Sequence, residues 1–144
     1  AFIEVIKEIY DEDPDRIACY DTKKKLHFCI ETEDLNVVHI DSTISYTKER
    51  QLDLILGMEE VMNVLKQVNT QKTTIILTHY SYDFLTRSEQ NMMCNLLMDY
   101  NVQLWLAGHE HDDLLRKQRD YFYEFQCGNL IYEGADTKSC IAIG

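Results

Sequence analysis

Two short apolar runs, "TTIILT" (Thr73–Thr78) and "VQLWLA" (Val102–Ala107), bracket a single helical pattern. That arrangement constrains the fold more than any other feature. The first run is β-branched and almost unbroken, which fits a strand covered on both faces, as in a parallel sheet. Between the runs, Met92, Met93, Leu96, Leu97 and Tyr100 recur at i, i+1, i+4 and i+5. This is the stripe of a core-facing helix rather than a methionine metal box. Thr86 and Glu89 form a T-x-x-E capping box that opens the helix at about Arg87. Strand, helix and strand in that order make a βαβ unit, so the fold class is α/β.

The rest of the chain reads around that unit. Phe2, Ile3, Val5, Ile6, Ile9 and Tyr10 predict a short helix over Ala1–Tyr10, broken by the turn "DEDPDR". Ile17–Tyr20 predicts a short strand. Leu26–Thr32 and Leu35–Asp41 predict a strand pair with a tight connection at "EDLN". Leu52, Ile55, Leu56, Val61, Met62, Leu65 and Val68 predict a long helix from Thr47 or Lys48 to about Val68, in which Gly57 costs roughly 1 kcal/mol against Ala. "QVNTQK" is the following loop. From Tyr121, "YFYEFQC" and "SCIAIG" read as further strands, expected to be antiparallel.

Composition narrows the function. The 144 residues suit one domain or part of one. Fourteen basic against 25 acidic side chains give a net charge of −11, which disfavours phosphate backbones, so nucleic acid is not an expected partner. "DTKKK", the one basic cluster, reads as a solvated face. No apolar run approaches the roughly 20 residues of a membrane span, so no membrane partner is expected. The first residues do not read as a signal peptide. Five cysteines, at 19, 29, 94, 127 and 140, form no C-x-x-C pair and read as reduced packing residues, which suggests a cytoplasmic protein.

The chemistry sits in the histidines. His79 follows the first apolar run, and His109 and His111 follow the second in "GHEH". Ligands in open α/β sheets bind outside the carboxyl ends of parallel strands, so all three imidazoles are expected at one sheet edge. Gly108 permits a sharp bend there. In extended or turning backbone, i and i+2 point the same way. Three imidazoles from two strand ends predict a metal site, and imidazole suits Zn, Fe, Ni and similar ions. His27 and His39 read as ordinary hydrogen-bonded or surface histidines. A single Zn²⁺ on the three histidines could take water or a carboxylate in its fourth position. Asp41, Asp83, Asp112 and Asp113 are the candidates, though each also suits a cap or turn. Tyr80 and Tyr82 read as packing residues that could instead line a phosphate or base pocket.

"ILTHY" and "LAGHEH" resemble the later half of the calcineurin-like metallophosphoesterases, through that family's single-His strand end and its Gly-His-x-His motif. "VVHIDS", "ERQLDLIL" and "YEFQCGNL" extend the resemblance over roughly Leu35–Leu130, nearest to the cyclic-nucleotide-phosphodiesterase-like branch. The resemblance implies the C-terminal half of an α/β/β/α sandwich. It also implies metal-dependent hydrolysis of a phosphate mono- or diester, with a cyclic nucleotide among the candidate substrates. His79 and His109 would bind one of two divalent ions of the Mn, Fe or Zn class, and His111 the other. The family's Asp-x-His, Gly-Asp-x-x-Asp and Gly-Asn-His-Asp/Glu motifs do not occur here.

The chain is therefore expected to be a single partial domain over 1–144, cut from a longer enzyme. Alone it is expected to hold one metal or none, to be inactive, and to self-associate through an exposed sheet edge. The competing expectation is a non-catalytic α/β binding module with a vestigial or single-metal three-His site.

Overall fold

A computed structural model of the chain describes residues 26–110 and 114–127. The predicted helix at 1–10, the strands at 17–20 and 139–144, the basic cluster at 21–25, and His111, Asp112 and Asp113 lie outside the described residues.

The elements run β1 (His27–Glu31), β2 (Leu35–Ile40), α1 (Met58–Leu65), β3 (Thr73–Leu77), a 3₁₀ turn (Tyr82–Phe84), α2 (Arg87–Asp99), β4 (Leu104–Ala107), β5 (Leu114–Gln118) and β6 (Phe122–Gln126). The strands form one six-stranded sheet in the order β1-β2-β3-β4-β6-β5. β2, β3, β4 and β6 are parallel, while β1 and β5 pair antiparallel on the outside. This is an α/β fold, with α2 as the crossover of the expected βαβ unit. β1 and β2 form the expected pair, joined by a tight turn in which Thr32 N donates to Leu35 O at 2.8 Å.

The core lies on one face of the sheet. Val38, Ile76 and Trp105 stand in one row across three strands and are fully buried, together with Val61 and Leu65 of α1 and Met93 and Leu97 of α2. The other face, with Val37, Ile75 and Leu104, is half-buried. Along β3, Thr74 and Ile76 are thus buried on one face, while Ile75 and Leu77 are half-buried on the other.

Two expectations need correction, and one strand was not foreseen. The strand "YFYEFQC" is antiparallel to β5 but parallel to β4, with Trp105 opposite Glu124. β5 itself was not expected. Its Leu114 and Leu115 are 40% and 63% exposed, so "LLRKQ" carries no burial alternation to mark it. The long helix from 47 to 68 is absent, and α1 begins only at Met58. Gly57 is its N-cap, at φ 81° and ψ 76° in the left-handed region.

The helical stripe misled because the buried residues are Leu54 and Leu56, spaced as in extended chain, while Leu52 and Ile55 are exposed. Backbone bonds explain the extension. Leu54 N donates to Phe84 O at 2.8 Å, and Thr86 N donates to Leu54 O at 3.0 Å. Leu56 N donates to Glu89 Oε2 at 2.9 Å. The capping box is therefore only half formed. Thr86 Oγ1 accepts from Glu89 N at 3.1 Å, but the buried Glu89 carboxylate serves Leu56 instead of Thr86.

Among the described residues, no helix is long and apolar enough to cross a membrane.

Gly57→Ala separates the two placements of that residue by sign. In a helix interior alanine would stabilise by about 1 kcal/mol. In the left-handed conformation seen here, where an added Cβ meets nothing within 4 Å, only backbone strain acts, and the cost is about 1–2 kcal/mol. Urea denaturation of the variant should show destabilisation.

A second expectation concerns His39, stacked on Phe28 with ring centroids 4.6 Å apart. Burial holds its pKa below the usual 6.5. The unfolded chain then binds the proton more tightly, so stability present above 6.5 is lost as pH falls through and below that value. On going from about pH 8 to about pH 5.5, the wild type should lose more melting temperature than His39→Gln does.

Candidate metal centre

The parallel strands β2, β3 and β4 run in step and end together. Their carboxyl ends release Asp41 and Ser42, Thr78 and His79, and Gly108 and His109 at one edge of the sheet. The segment carrying His79 is fixed there by bonds on both sides. Thr78 N donates to Leu106 O at 2.9 Å and Gly108 N donates to His79 O at 3.1 Å. Tyr80 N donates to the buried Ser42 Oγ at 2.9 Å. The indole N–H of Trp105 donates to Thr78 Oγ1 at 2.7 Å, and Thr78 Oγ1 in turn donates to Tyr80 O at 2.7 Å.

Further along, Tyr82 N donates to Glu124 Oε1 at 2.7 Å. Glu124 is fully buried on β6, and its Oε2 accepts from Arg116 Nε at 2.9 Å and Gln118 Nε2 at 2.8 Å. Sequence reasoning missed Glu124. The available signal was an acid at the inward position of an alternating strand, "FYEFQ".

Two of the three predicted ligands meet. His79 Nε2 and His109 Nδ1 are 3.0 Å apart, within a hydrogen bond in which one ring donates and the other accepts. The ring centroids lie 4.9 Å apart at 71°. His79 is exposed and His109 half-buried. Tyr80 packs against both, at 4.8 Å from His79 and 4.3 Å from His109, and Phe84 meets His109 edge-on at 5.4 Å. Burial, with the Tyr46 phenol alongside, raises the Tyr80 hydroxyl above its ordinary pKa.

Two imidazoles sharing one ion at 2.0–2.1 Å place their nitrogens about 2.9–3.4 Å apart, a range that includes the 3.0 Å separation seen here. Among the described residues there is no group of three or more His, Cys, Asp or Glu side chains that could hold a metal. His111 lies outside the described residues.

The remaining candidates have structural partners. Asp41 Oδ1 accepts from Thr43 N at 2.8 Å and Thr43 Oγ1 at 2.6 Å, which is a turn contact. Asp83 pairs with Arg116 at 2.8 Å. His27 is buried between two backbone groups. Its Nδ1 accepts from Asp41 N at 3.1 Å and its Nε2 donates to Leu56 O at 2.8 Å. Tyr82 is a core residue, 1% exposed, whose hydroxyl donates to Gln90 O.

No protein-family model matches the sequence. The chain is similar to an uncharacterized metallophosphoesterase-like protein, YydB, of Bacillus subtilis (strain 168). The two are 22% identical over 151 residues, spanning 98% of this chain and 31% of that protein. The chain thus covers about a third of the length of the curated relative it matches. Among solved structures it is similar to GAP50, the anchor in the inner membrane complex of Plasmodium, with a TM-score of 0.42 and 14% identity over 78% of this chain and 40% of that one.

Glu124→Ala should loosen the support beneath this site. It strands the Tyr82 amide without an acceptor, at a cost of about 1–3 kcal/mol in urea denaturation.

Proposed function

We propose that the parent protein hydrolyses phosphate mono- or diesters at a two-metal centre, to which this chain contributes His79, His109 and His111. The observation that carries this reading is the 3.0 Å approach of His79 Nε2 and His109 Nδ1 at the carboxyl edge of the parallel strands. The metallophosphoesterase-like relative points to the same chemistry. When bound, divalent ions of the Mn, Fe or Zn class lower the pKa of water and polarise phosphoryl oxygens.

The chain's own residues supply position. His79 and His109 donate nitrogen. Ser42, Thr78 and Glu124 fix the backbone that carries His79. Tyr80 and Phe84 keep water from one flank of His109. A cytoplasmic setting goes with this reading.

On this reading the 144-residue chain alone is inactive, because neutral imidazoles bring no charge to offset two divalent ions held close together. Calorimetric titration with Zn²⁺ or Mn²⁺ should show affinity that falls at least about tenfold in His79→Ala and in His109→Ala. Unchanged affinity in both variants would refute the site. Hydrolysis of bis(p-nitrophenyl) phosphate with Mn²⁺ should be absent for the chain and present for the longer protein.

The competing reading is a non-catalytic α/β binding module with a vestigial or single-metal three-His site. Metal binding without hydrolysis by the longer protein would decide for it.

A further inference from the structure

β5 stands at one end of the sheet. It pairs with β6 along one edge, and among the described residues no strand pairs with its other edge. Alternate residues of such a strand turn their N–H and C=O groups outward, which makes a template for one more strand.

The strand is held in shape from one face. Arg116 Nε donates to Glu124 Oε2 at 2.9 Å, and its Nη1 pairs with Asp83 Oδ2 at 2.8 Å. Gln118 Nε2 donates to Glu124 Oε2 at 2.8 Å, and Arg119 Nη2 donates to Asn91 Oδ1 at 3.3 Å. A template fixed in this way loses little freedom when a partner arrives.

The opposite face is open. Leu115 and Lys117 alternate with Arg116 and Gln118, and the register puts them across from Phe125 and Tyr123. Leu115 is 63% and Tyr123 48% exposed. Lys117 is exposed and makes no ion pair among the described residues. Charge sets the segment apart as well. Arg116, Lys117 and Arg119 stand within four positions with no acid among them, in a chain of net charge −11. Of the three, Arg116 is neutralised by the carboxylates of Asp83 and Glu124. A lysine on an edge strand guards it against unwanted pairing. Here the lysine shares its face with an exposed leucine, so the edge offers both a charge to match and apolar surface to cover.

We infer that the outer edge of β5 receives an extended, acidic segment of a partner protein, added to the sheet as a further strand. Backbone bonds supply the affinity and alternate side chains supply the choice of partner. An apolar residue of the segment covers Leu115, and a carboxylate meets Lys117. A second copy of this chain is the poorer occupant. Antiparallel self-pairing brings two sets of Lys117 and Arg119 together, and like charges across a strand pair repel. The inference does not rest on the metal chemistry proposed above.

The test is NMR titration of the chain with an acetylated octapeptide, Thr-Val-Thr-Glu-Thr-Val-Thr-Glu, in which valine and glutamate alternate along one face. One control carries lysine in place of glutamate, and another carries proline in place of two of the threonines. With the glutamate peptide, the amide signals of Leu114–Gln118 should shift and their exchange with solvent should slow. The lysine peptide should bind about threefold or more weakly, and Lys117→Glu should reverse that order. The proline peptide should not bind, because it cannot complete the backbone ladder.

Unchanged exchange at β5 with the glutamate peptide at millimolar concentration would leave Lys117 as a guard alone and overturn the inference. Equal binding of the proline peptide would do the same, since it would reveal charge attraction without strand pairing. So would an order of peptides that Lys117→Glu does not alter. Protection that grows with chain concentration, with no peptide present, would make a second copy the occupant instead. Slow exchange at these amides in the longer protein, before any peptide is added, would mean that its own chain covers the edge, and the inference falls there too.

Discussion

Everything at the candidate site depends on parallel strands that finish level with one another. A parallel ladder fixes register along its whole length, so pairing Val38 with Ile76 and Ile76 with Trp105 also determines where Asp41, His79 and His109 emerge. The core row that enforces the ladder is fully buried. A slip of one residue would turn Trp105 out of the core and reverse every side chain at the edge. Burial of the core and juxtaposition of the two imidazoles are therefore consequences of one pairing.

Polar side chains complete what the ladder begins. Past the last ladder bonds the irregular segments lack strand partners, yet their buried amides require acceptors. Ser42 serves Tyr80, Glu89 serves Leu56 and Glu124 serves Tyr82. In each case a buried oxygen from one element holds an irregular stretch of another. This explains why Ser42, Glu89 and Glu124 are buried against apolar side chains. It also explains why the extended segment around Leu54 and Leu56 can lie against the core without being helix or strand.

The regular elements were legible in the sequence where one local signal spoke alone. The β-branched run of β3, the capped helix α2 and the tight turn between β1 and β2 stand where their patterns put them. The approach of His79 and His109 followed from their position after parallel strands. The segment from 47 to 57 was not legible. Its apolar spacing fits a helix, and only tertiary bonds to Phe84, Thr86 and Glu89 draw it out, with Gly57 supplying the left-handed joint. β5 was missed because its leucines face solvent. The parallel pairing of β6 was missed because strand partners are chosen by topology, not by the strand's own residues. Glu124 was passed over as one acid among many, since its burial depends on a strand arrangement that the sequence does not spell out.

The chain's single tryptophan is Trp105, fully buried, and its indole N–H bonds to the threonine that precedes His79. Tyr82 and Phe122 enclose it at ring distances of 5.9 Å. Its emission thus comes from one known place, directly beneath the histidines. Any event that shifts that threonine changes the indole's hydrogen bond and surroundings, and so its fluorescence. The molecule carries an intrinsic optical reporter wired to its own site.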